Sequence, residues 1–488
     1  MKRLLLSIIV IVSALTDYSR SYDERIANAM NTGDWFALDS IYSSAPKDSI
    51  TPFLDVYSRG LIGNRLNRPD ISIPAFEELL RSYSANLDLS NLLNSAVMLS
   101  MDLSRVGENG RAASVLTSVL DATRQYLDSA AIGAVRRYIG QYTALAAYKP
   151  YTISFTSDCG HIPFSLVPVG NPKREAILMQ LDDCRINDAD ADIIFDTGAG
   201  VNIISDSLAR KYELIPLDAY NEVMGIGSQK ARYAIADELR LGNIVVRDVP
   251  FLVVNLTVDN EEANRYIDSY SIVVGGELML QLKDLTLDFA KREITVPSVA
   301  PARSSSSPNM FFSSQMNLLT KGRILNDTML VCIDTGDASF GSLNGDFFNR
   351  NRDYILANAQ PDTIRTAGIG GVKVLEGYRL PDVTATIGGA TAVLPSIFVN
   401  EGMNPLASDY ECNLGLKSLI QFGKIRFNMV DFTITASTGS ISSPLLSGYK
   451  IPTFKYTRPT PSLLQSVGVV AFSIADGLLN ANAPTMPD

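Results

Sequence analysis

The sequence predicts a multidomain protein: an N-terminal all-α helical region followed by an all-β bilobal region with pseudo-twofold symmetry. Three observations predict this fold. Apolar residues recur with helical spacing up to about Tyr148, short β-prone segments broken by Gly and Pro begin at Pro150, and the β-prone part contains an internal duplication. A length of 488 residues suggests about three domains.

Composition limits the chemistry. Hydrophobic residues make up 46% of the chain and the net charge is −10, so cores can form, while nucleic acid is not expected as the main ligand. The chain has one histidine, His161, so it cannot build a His-rich metal site by itself, and any Ser–His or Cys–His catalysis would have to use that residue. We therefore expect carboxylate chemistry, with no metal and no cofactor.

The N-terminus has the layout of a secretory signal peptide, assigned to residues 1–21. Lys2 and Arg3 precede an apolar run from Leu4 to Leu15, which is shorter than the ~20 residues of a membrane span. A retained membrane anchor is the alternative. The interpretation predicts an exported, periplasmic or secreted protein with no stable membrane span.

Residues 22–148 are predicted to form a helical domain. Apolar stripes at helical spacing run through it, separated by Gly and Pro. The segment from Asn31 to Trp35, at a helix start, loosely resembles a TPR-type repeat, although no fixed period is found. A protein partner could bind through this region, but such stripes are more often core.

The β-prone region is divided into lobe 1 (149–299), a Ser-rich linker (300–310) and lobe 2 (311–437). A Ser/Pro-rich tail (438–488) follows.

The two predicted lobes repeat four features in the same order. An apolar strand ends in Asp-Thr-Gly, a glycine-containing turn follows, then two residues and Gly before a short helix, and finally a strand pair. Asp334 follows Asp196 by 138 positions, and Phe427 follows Phe289 by the same number. The paired segments are Ile193–Ala199 with Leu330–Asp337, Gly225–Gly227 with Gly368–Val374, Val273–Gly275 with Asn413–Gly415, and Leu287–Val296 with Ile425–Ile434.

Two Asp-Thr-Gly units related by a pseudo-twofold axis can bring two carboxyl groups face to face. Two carboxylates ~3 Å apart do not both ionise easily, so they share one proton. A water molecule between them then meets a base and an acid, which suits amide hydrolysis without histidine or metal. The two pKa values belong to the pair, and the sequence does not say which aspartate carries the proton.

These motifs resemble the aspartic peptidases of the retropepsin and pepsin type, over roughly Tyr151 to Ala436. The resemblance implies a single-chain, two-lobed aspartic endopeptidase that cleaves polypeptides bound in an extended conformation. It implies that Asp196 and Asp334 are the catalytic dyad. By the same resemblance the dyad is supported by Thr197, Gly198, Thr335 and Gly336, and the substrate-binding flap tips are Gly225, Ile226, Gly227, Gly368, Ile369, Gly370 and Gly371.

Two departures from the family pattern leave alternatives open. Ala199 and Asp337 follow the two Asp-Thr-Gly units as subsite candidates, and a small neutral residue is usual where Asp337 stands. Asp337 either faces the dyad, raising its pKa values or favouring a cationic substrate side chain, or lies in a solvated turn. The first flap has Ser228 in place of a second consecutive glycine. An inactive or weakly active peptide-binding protein with a helical interaction domain is the alternative function.

Cysteines give one further candidate feature. Cys159 and Cys184 could form a disulfide in an oxidising compartment, or both could be free thiols. Cys332 and Cys412 lie on apolar runs and are expected to be buried free thiols.

Overall fold

A computed structural model describes residues 21–169, 176–224, 228–255, 271–313, 317–368, 371–402, 409–438 and 467–468. Almost all of the predicted signal peptide, most of the tail and the flap tips 225–227 and 369–370 lie outside these residues. The described chain divides into two compact units, one ending at Asp128 and one beginning at Ser129.

The first unit is built of helices that follow one another in pairs. Each pair is joined at a residue in the left-handed region, Gly33 (φ 66°), Asn67 (φ 52°) or Gly107 (φ 83°), which reverses the chain after the first helix. Each pair is followed by a short 3₁₀ segment, at Lys47–Ser49, Ser84–Asn86 and Arg124–Tyr126. The helices are α1 (Tyr22–Thr32), α2 (Trp35–Ser44), α3 (Pro52–Arg65), α4 (Pro69–Ser82), α5 (Leu89–Arg105) and α6 (Asn109–Thr123).

A buried carboxylate joins three helices of this unit. Asp102 on α5 accepts hydrogen bonds from Asn64 Nδ2 on α3 (3.0 Å), from Ser72 Oγ on α4 (2.6 Å) and from Arg105 Nη1 (2.7 Å). The donors offset part of the desolvation cost of a carboxylate that solvent does not reach. Gly63 lets α3 approach Ser72, because a Cβ at residue 63 would lie 2.6 Å from the Ser72 amide nitrogen.

The second unit begins with one more helix, α7 (Ser129–Leu145), and continues into two β-rich lobes. Lobe 1 comprises β1 (Thr152–Phe155), β2 (Cys159–Pro168), β3 (Ile177–Leu181), β4 (Cys184–Ile186), β5 (Ala189–Asp190), β6 (Ile193–Phe195), β7 (Ile203–Ser205), α8 (Asp206–Lys211), β8 (Ile215–Met224), β9 (Ser228–Leu241), β10 (Ile244–Val254), β11 (Ile272–Val274), α9 (Gly276–Leu282), β12 (Asp284–Asp288) and β13 (Glu293–Pro297).

After its Asp-Thr-Gly loop, lobe 2 follows the order of elements of lobe 1 with one additional helix. It comprises β14 (Met310–Phe312), β15 (Leu318–Ile324), β16 (Asp327–Asp334), β17 (Gly341–Leu343), α10 (Gly345–Arg350), α11 (Arg352–Asn358), β18 (Gln360–Gly368), β19 (Gly371–Ile387), β20 (Ala390–Asn400), β21 (Cys412–Gly415), α12 (Leu416–Ile420), β22 (Lys424–Asn428) and β23 (Thr433–Ser437), with β24 (Val467–Gly468) added in parallel to β18. The expected architecture, helices followed by two-lobed β structure, is confirmed.

Two sheets hold the lobes. The strand order of one is β23-β22-β12-β13-β2-β3-β6-β11-β7-β10-β9-β4-β5, with β1 on β10 and β8 on β9. The order of the other is β14-β15-β16-β21-β17-β20-β19-β18-β24. In each lobe the strand that leads to Asp-Thr-Gly pairs in parallel with a strand from later in the chain, β6 with β11 and β16 with β21. These strands are buried, which fixes the position of the loop that follows them.

The closing hairpins of the two lobes join to each other. Strand β12 pairs antiparallel with β22, so that Leu285 lies opposite Phe427. Arg426 binds Asp284 through two hydrogen bonds, Nε to Oδ1 at 2.8 Å and Nη2 to Oδ2 at 2.7 Å. A continuous ladder therefore ties the lobes on the pseudo-twofold axis.

The structure corrects the match between these hairpins. The Phe289 amide donates to Gly423 and the Met429 amide donates to Lys283, so Phe289 corresponds to Met429 and not to Phe427. The hairpin turns agree, because Arg292 and Phe432 both have φ 57°. The match of Phe289 with Phe427 rested on identical side chains and is wrong. Between Asp-Thr-Gly and the closing hairpin, lobe 2 is two residues longer than lobe 1, whereas equal lengths were predicted.

Helix α7 packs on the β-rich unit. Leu145 belongs to the lobe 1 core that also contains Leu217, Ala219 and Tyr233. Gln141 Oε1 accepts a hydrogen bond from Asn221 Nδ2 on β8 at 3.0 Å, and both side chains are buried. The apolar stripe of this helix, which the sequence grouped with the preceding helices, is thus part of the lobe 1 core.

Candidate active site

The two Asp-Thr-Gly loops lie against each other at the junction of the lobes. Strand β6 delivers Asp196 and strand β16 ends in Asp334, and both carboxyl groups are almost completely buried, with exposures of 0% and 1%. They lie within hydrogen-bonding reach of each other. The fold therefore brings the two predicted aspartates together.

The two threonines cross-link the loops. Thr197 Oγ1 donates to the carbonyl oxygen of Ile333 (2.6 Å) and accepts from the amide of Thr335 (3.1 Å). Thr335 Oγ1 donates to the carbonyl oxygen of Phe195 (2.7 Å) and accepts from the amide of Thr197 (3.0 Å). Each hydroxyl uses both a donor and an acceptor function across the lobe boundary, which holds the carboxyl groups in a fixed relation.

The two glycines make room for the opposite carboxyl group. A Cβ at Gly198 would lie 2.6 Å from Asp334 Cγ, and one at Gly336 would overlap the carboxyl group of Asp196. Each aspartate also receives amides from its own loop: Asp196 Oδ1 accepts from residues 198 (2.8 Å) and 199 (3.1 Å), and Asp334 Oδ1 accepts from residues 336 and 337 (both 3.0 Å). Only glycine fits such an approach.

Burial perturbs both carboxyl groups. It raises the pKa of Asp196 to about 6, against the effect of the amides that bind its oxygen atoms. It raises the pKa of Asp334 well above the usual range, and the negative charges of Asp196 and Asp337 raise it further. Two adjacent carboxyl groups with raised pKa values hold one proton between them at mildly acidic pH.

Asp337 lies beside the dyad and is buried, with 5% exposure. It accepts hydrogen bonds from the amide (2.9 Å) and Oγ (2.7 Å) of Ser339 and from Asn413 Nδ2 (3.0 Å). The interpretation of Asp337 as a solvated turn residue is therefore wrong. Ala199, its counterpart in lobe 1, is buried in the apolar core and packs against Gly275.

Asn413 is a site residue that the sequence interpretation missed. It lies on β21 and donates from Nδ2 to Asp334 Oδ2 at 3.0 Å. The signal was present, because a polar residue stands in a strand where the lobe 1 counterpart is the buried Val273. Asn413 also lines a small cavity with residues of β17, β19 and β20, among them Ser342, Leu375 and Asn400.

Each lobe contributes a long hairpin at the positions predicted for the flaps. In lobe 1, β8 and β9 pair up to Met224 and Ser228, and the predicted tip residues Gly225, Ile226 and Gly227 lie outside the described residues. In lobe 2, β18 and β19 pair up to Gly368 and Gly371, which close the described part of the hairpin, while Ile369 and Gly370 lie outside it.

The candidate disulfide does not form. All four cysteines are described, and all are free thiols. Cys159 begins β2 opposite Pro297, whereas Cys184 begins β4 opposite Leu241, and these strands are not neighbours in the sheet. Cys332 and Cys412 are buried, as expected.

In a comparison with protein families, residues 183–269 match the aspartyl protease family. This segment contains Asp196 and the first flap hairpin, but not Asp334. A comparison with curated proteins finds no match. The family match, the paired Asp-Thr-Gly loops and the two-lobed architecture agree with one another, and the β-rich region is similar to retropepsin-like aspartyl proteases, with both lobes in one chain.

Proposed function

We propose that this protein is an exported aspartic endopeptidase that hydrolyses peptide bonds with the dyad Asp196 and Asp334. One observation carries the proposal: two buried carboxyl groups lie within hydrogen-bonding reach, held by threonines that bond across the lobe boundary. Structural carboxylates are normally paired with cations or exposed, whereas these two face each other.

The chemistry follows from one proton shared by two carboxyl groups. The ionised carboxylate accepts a proton from a water molecule as that water attacks the peptide carbonyl. The protonated carboxyl group donates its proton to the developing oxyanion. The tetrahedral intermediate then collapses with proton transfer to the leaving nitrogen, so neither histidine nor a metal ion is required.

The substrate proposed is a polypeptide in extended conformation. Each lobe carries a long antiparallel hairpin at the position predicted for a flap, β8–β9 in lobe 1 and β18–β19 in lobe 2. Their backbone groups suit pairing with an extended chain, the mode of recognition in which main-chain hydrogen bonds give affinity and side-chain pockets give selectivity.

Export is proposed from the sequence of residues 1–21. Among the described residues, none of the helices combines the length and apolar character that crossing a bilayer would require. Sequencing the N-terminus of protein recovered from its native host tests the proposal. A mature chain beginning near Tyr22 supports export, and an N-terminus at Met1 contradicts it.

The paired helices of the first unit are proposed to form a TPR-like surface for a protein partner. Their regular pairing and recurrent left-handed joints support a repeat arrangement. Comparing cleavage by the full chain and by a chain that begins at Ser129 tests whether this unit affects the protease, since the second unit is compact by itself.

The central test is cleavage of an unfolded protein between pH 3 and 7. We expect activity in the wild type and a loss of at least about 100-fold in Asp196→Asn and in Asp334→Asn, because each removes one proton-transfer group. The matched control is Asp190→Asn, which changes a side chain that is 92% exposed and should retain full activity.

Two outcomes would contradict the proposal. Equal activity in Asp196→Asn and the wild type would end the dyad mechanism. Retained peptide binding without cleavage at any pH would instead favour the peptide-binding alternative.

A further inference from the structure

The two halves of the site are not electrostatically equal. After the first Asp-Thr-Gly comes Ala199, and the neighbouring strand β11 carries Val273, so that side of Asp196 is apolar. After the second comes Asp337, and the neighbouring strand β21 carries Asn413. Both differences lie at symmetry-related positions, and they occur together.

Asn413 connects the two carboxyl groups of lobe 2. Its Nδ2 lies 3.0 Å from Asp334 Oδ2 and 3.0 Å from Asp337 Oδ2. Nδ2 has two hydrogens, and carboxylate oxygens are acceptors, so the amide must present nitrogen and not oxygen to this pair. Both of its hydrogens are used, one for each acid.

Hydrogen-bond donors surround the carboxyl group of Asp337. Burial raises the pKa of Asp337 above its usual value, and the hydrogen bonds from Ser339 and Asn413 and the positive charge of Arg379 offset only part of this rise. Three donors converge on its two oxygens. Hydrogen bonds of this kind favour the charged form of a carboxyl group.

A charged Asp337 acts on Asp334 much more than on Asp196. Asp334 lies one amide nitrogen away from Asp337, which places the nearest oxygens of the two acids no more than about 6 Å apart. Two like charges at that distance move a pKa by about one to two units at an effective dielectric constant of about 20. Asp196 has Ala199 in the corresponding place.

The hydrogen bonds agree with an unequal pair. Asp334 Oδ2 accepts from the side chain of Asn413. Asp196 Oδ2 is buried, and among the described residues no side-chain N–H donates to it, although the backbone amide of Gly336 lies near enough to Asp196 to lower its pKa. A proton on Asp334 would satisfy Asp196 Oδ2. The chain of donors then runs from Asn413 through Asp334 to Asp196.

We infer, on the basis of the proposed protease function, that Asp337 is a positioning residue that holds the dyad proton on Asp334, and that Asn413 is a positioning residue that fixes the carboxyl groups of Asp334 and Asp337 relative to each other. Asp196 is then the base that takes a proton from the attacking water. Asp334 is the acid that gives its proton to the oxygen of the substrate carbonyl. The second lobe thus assigns the two roles before substrate binds.

Two other titratable groups of the described chain that interact with this pair are neutral. Cys332 and Tyr410 lie close to the acids, and burial raises the pKa of each well above its usual range, so both are neutral at the pH of the reaction. Arg379 on β19 is the cation that acts on Asp337, and it also binds Asp362 at 2.7 Å.

The test uses substitutions that the chain already carries at the symmetric positions. Asp337→Ala copies Ala199, Asn413→Val copies Val273, and the double variant gives lobe 2 the apolar lining of lobe 1. The pH dependence of kcat/KM is measured for each full-length protein. Asp346→Asn, at an exposed position on α10, is the control for loss of one negative charge in the same lobe.

Opposite shifts are expected. Asp337→Ala removes the charge that keeps the proton on Asp334, so the basic limb moves to lower pH by about one to two units. Asn413→Val removes a hydrogen bond that favours ionised Asp334, so the basic limb moves to higher pH, and kcat falls because the carboxyl group is less well placed. Asp346→Asn leaves the profile unchanged. A merely structural role would not move the basic limb of the pH profile in opposite directions in these two variants.

A second readout does not need activity. Carboxyl ¹³C resonances of Asp196 and Asp334, identified by their loss in the two Asp→Asn variants, report which acid holds the proton. We expect Asp334 to release its proton at a higher pH than Asp196 in the wild type. The difference between their two titration midpoints should be smaller in Asp337→Ala. An active wild type whose profile and titration are unchanged by Asp337→Ala overturns the inference but leaves the protease function intact. An inactive wild type overturns the function, and the titration still decides the inference.

Discussion

Glu277 is a partly buried acid outside the dyad, and its ionisation should lower the stability of the second unit at neutral pH. It lies in the first turn of α9, and Tyr151 OH donates to its Oε2 at 2.7 Å. Burial raises the pKa of Glu277 from 4.5 to about 7, and the hydrogen bond from Tyr151 opposes this only in part. The folded protein therefore binds a proton that the unfolded chain has lost between these pH values.

The sign follows from proton linkage. A raised pKa contributes stability below pH 4.5, and that contribution is lost as the pH rises through 7. The full shift corresponds to about 3 kcal/mol. Because Glu277 is partly exposed, solvent screening reduces the expected effect to about 1–2 kcal/mol.

The perturbation is Glu277→Gln, which keeps an oxygen that can accept from Tyr151 and removes the charge. Urea denaturation of wild type and variant at several pH values, followed by far-UV circular dichroism, measures the difference in unfolding free energy. Between pH 4.5 and 8, we expect the wild type to lose about 1–2 kcal/mol of unfolding free energy relative to the variant. Using the difference cancels the contributions of the other raised carboxyl groups. A difference that stays constant over this range would refute the reasoning.

Three further predictions concern the junction of the lobes. Thr335→Val should lower the unfolding free energy by about 2–5 kcal/mol, because a buried amide and carbonyl of the other lobe lose their partner, whereas Thr335→Ser should cost about 1 kcal/mol; equal urea midpoints for the two would contradict this. Arg426→Leu should cost about 3 kcal/mol by leaving Asp284 buried without its cation, and adding Asp284→Asn should restore part of the loss in the same assay. Gly336→Ala should reduce cleavage at least about 100-fold with an unchanged circular dichroism spectrum, since the methyl group would displace the opposite catalytic carboxyl. Gly140→Ala, in helix α7 with open space around it, is the matched control, and an active Gly336→Ala protein would show that the loop tolerates the displacement.

The positions of the acids could be predicted from the sequence because local patterns determine them. An apolar strand followed by Asp-Thr-Gly predicts that Asp196 and Asp334 each lie at the end of a buried strand. The internal duplication predicts that their carboxyl groups face each other. The register of the closing hairpins could not be read in this way. Matching Phe289 to Phe427 relied on side-chain identity, whereas the turn geometry at Arg292, which no side-chain pattern reveals, sets the true correspondence.

The role of Asn413 and the packing partner of helix α7 were not predicted, for a different reason. In the sequence, Asn413 is only the first residue of Asn413-Leu414-Gly415. Its hydrogen bonds to the carboxyl groups of Asp334 and Asp337 become visible only in the three-dimensional structure. The apolar stripe of α7 looks like that of the preceding helices, because periodicity predicts that a helix has a buried face but not which neighbour covers it. Its partner, β8, comes about seventy residues later in the chain.

The ladder between β12 and β22 has a consequence for how such a site can change. When identical subunits build a catalytic centre, each mutation enters twice, and an added negative group would appear on both sides of the reacting water. Here the halves are separate stretches of one polypeptide, so Asp337 and Asn413 are present once and Ala199 and Val273 remain opposite them. Because both lobes belong to one chain, the residues around Asp196 and the residues around Asp334 can change independently of each other.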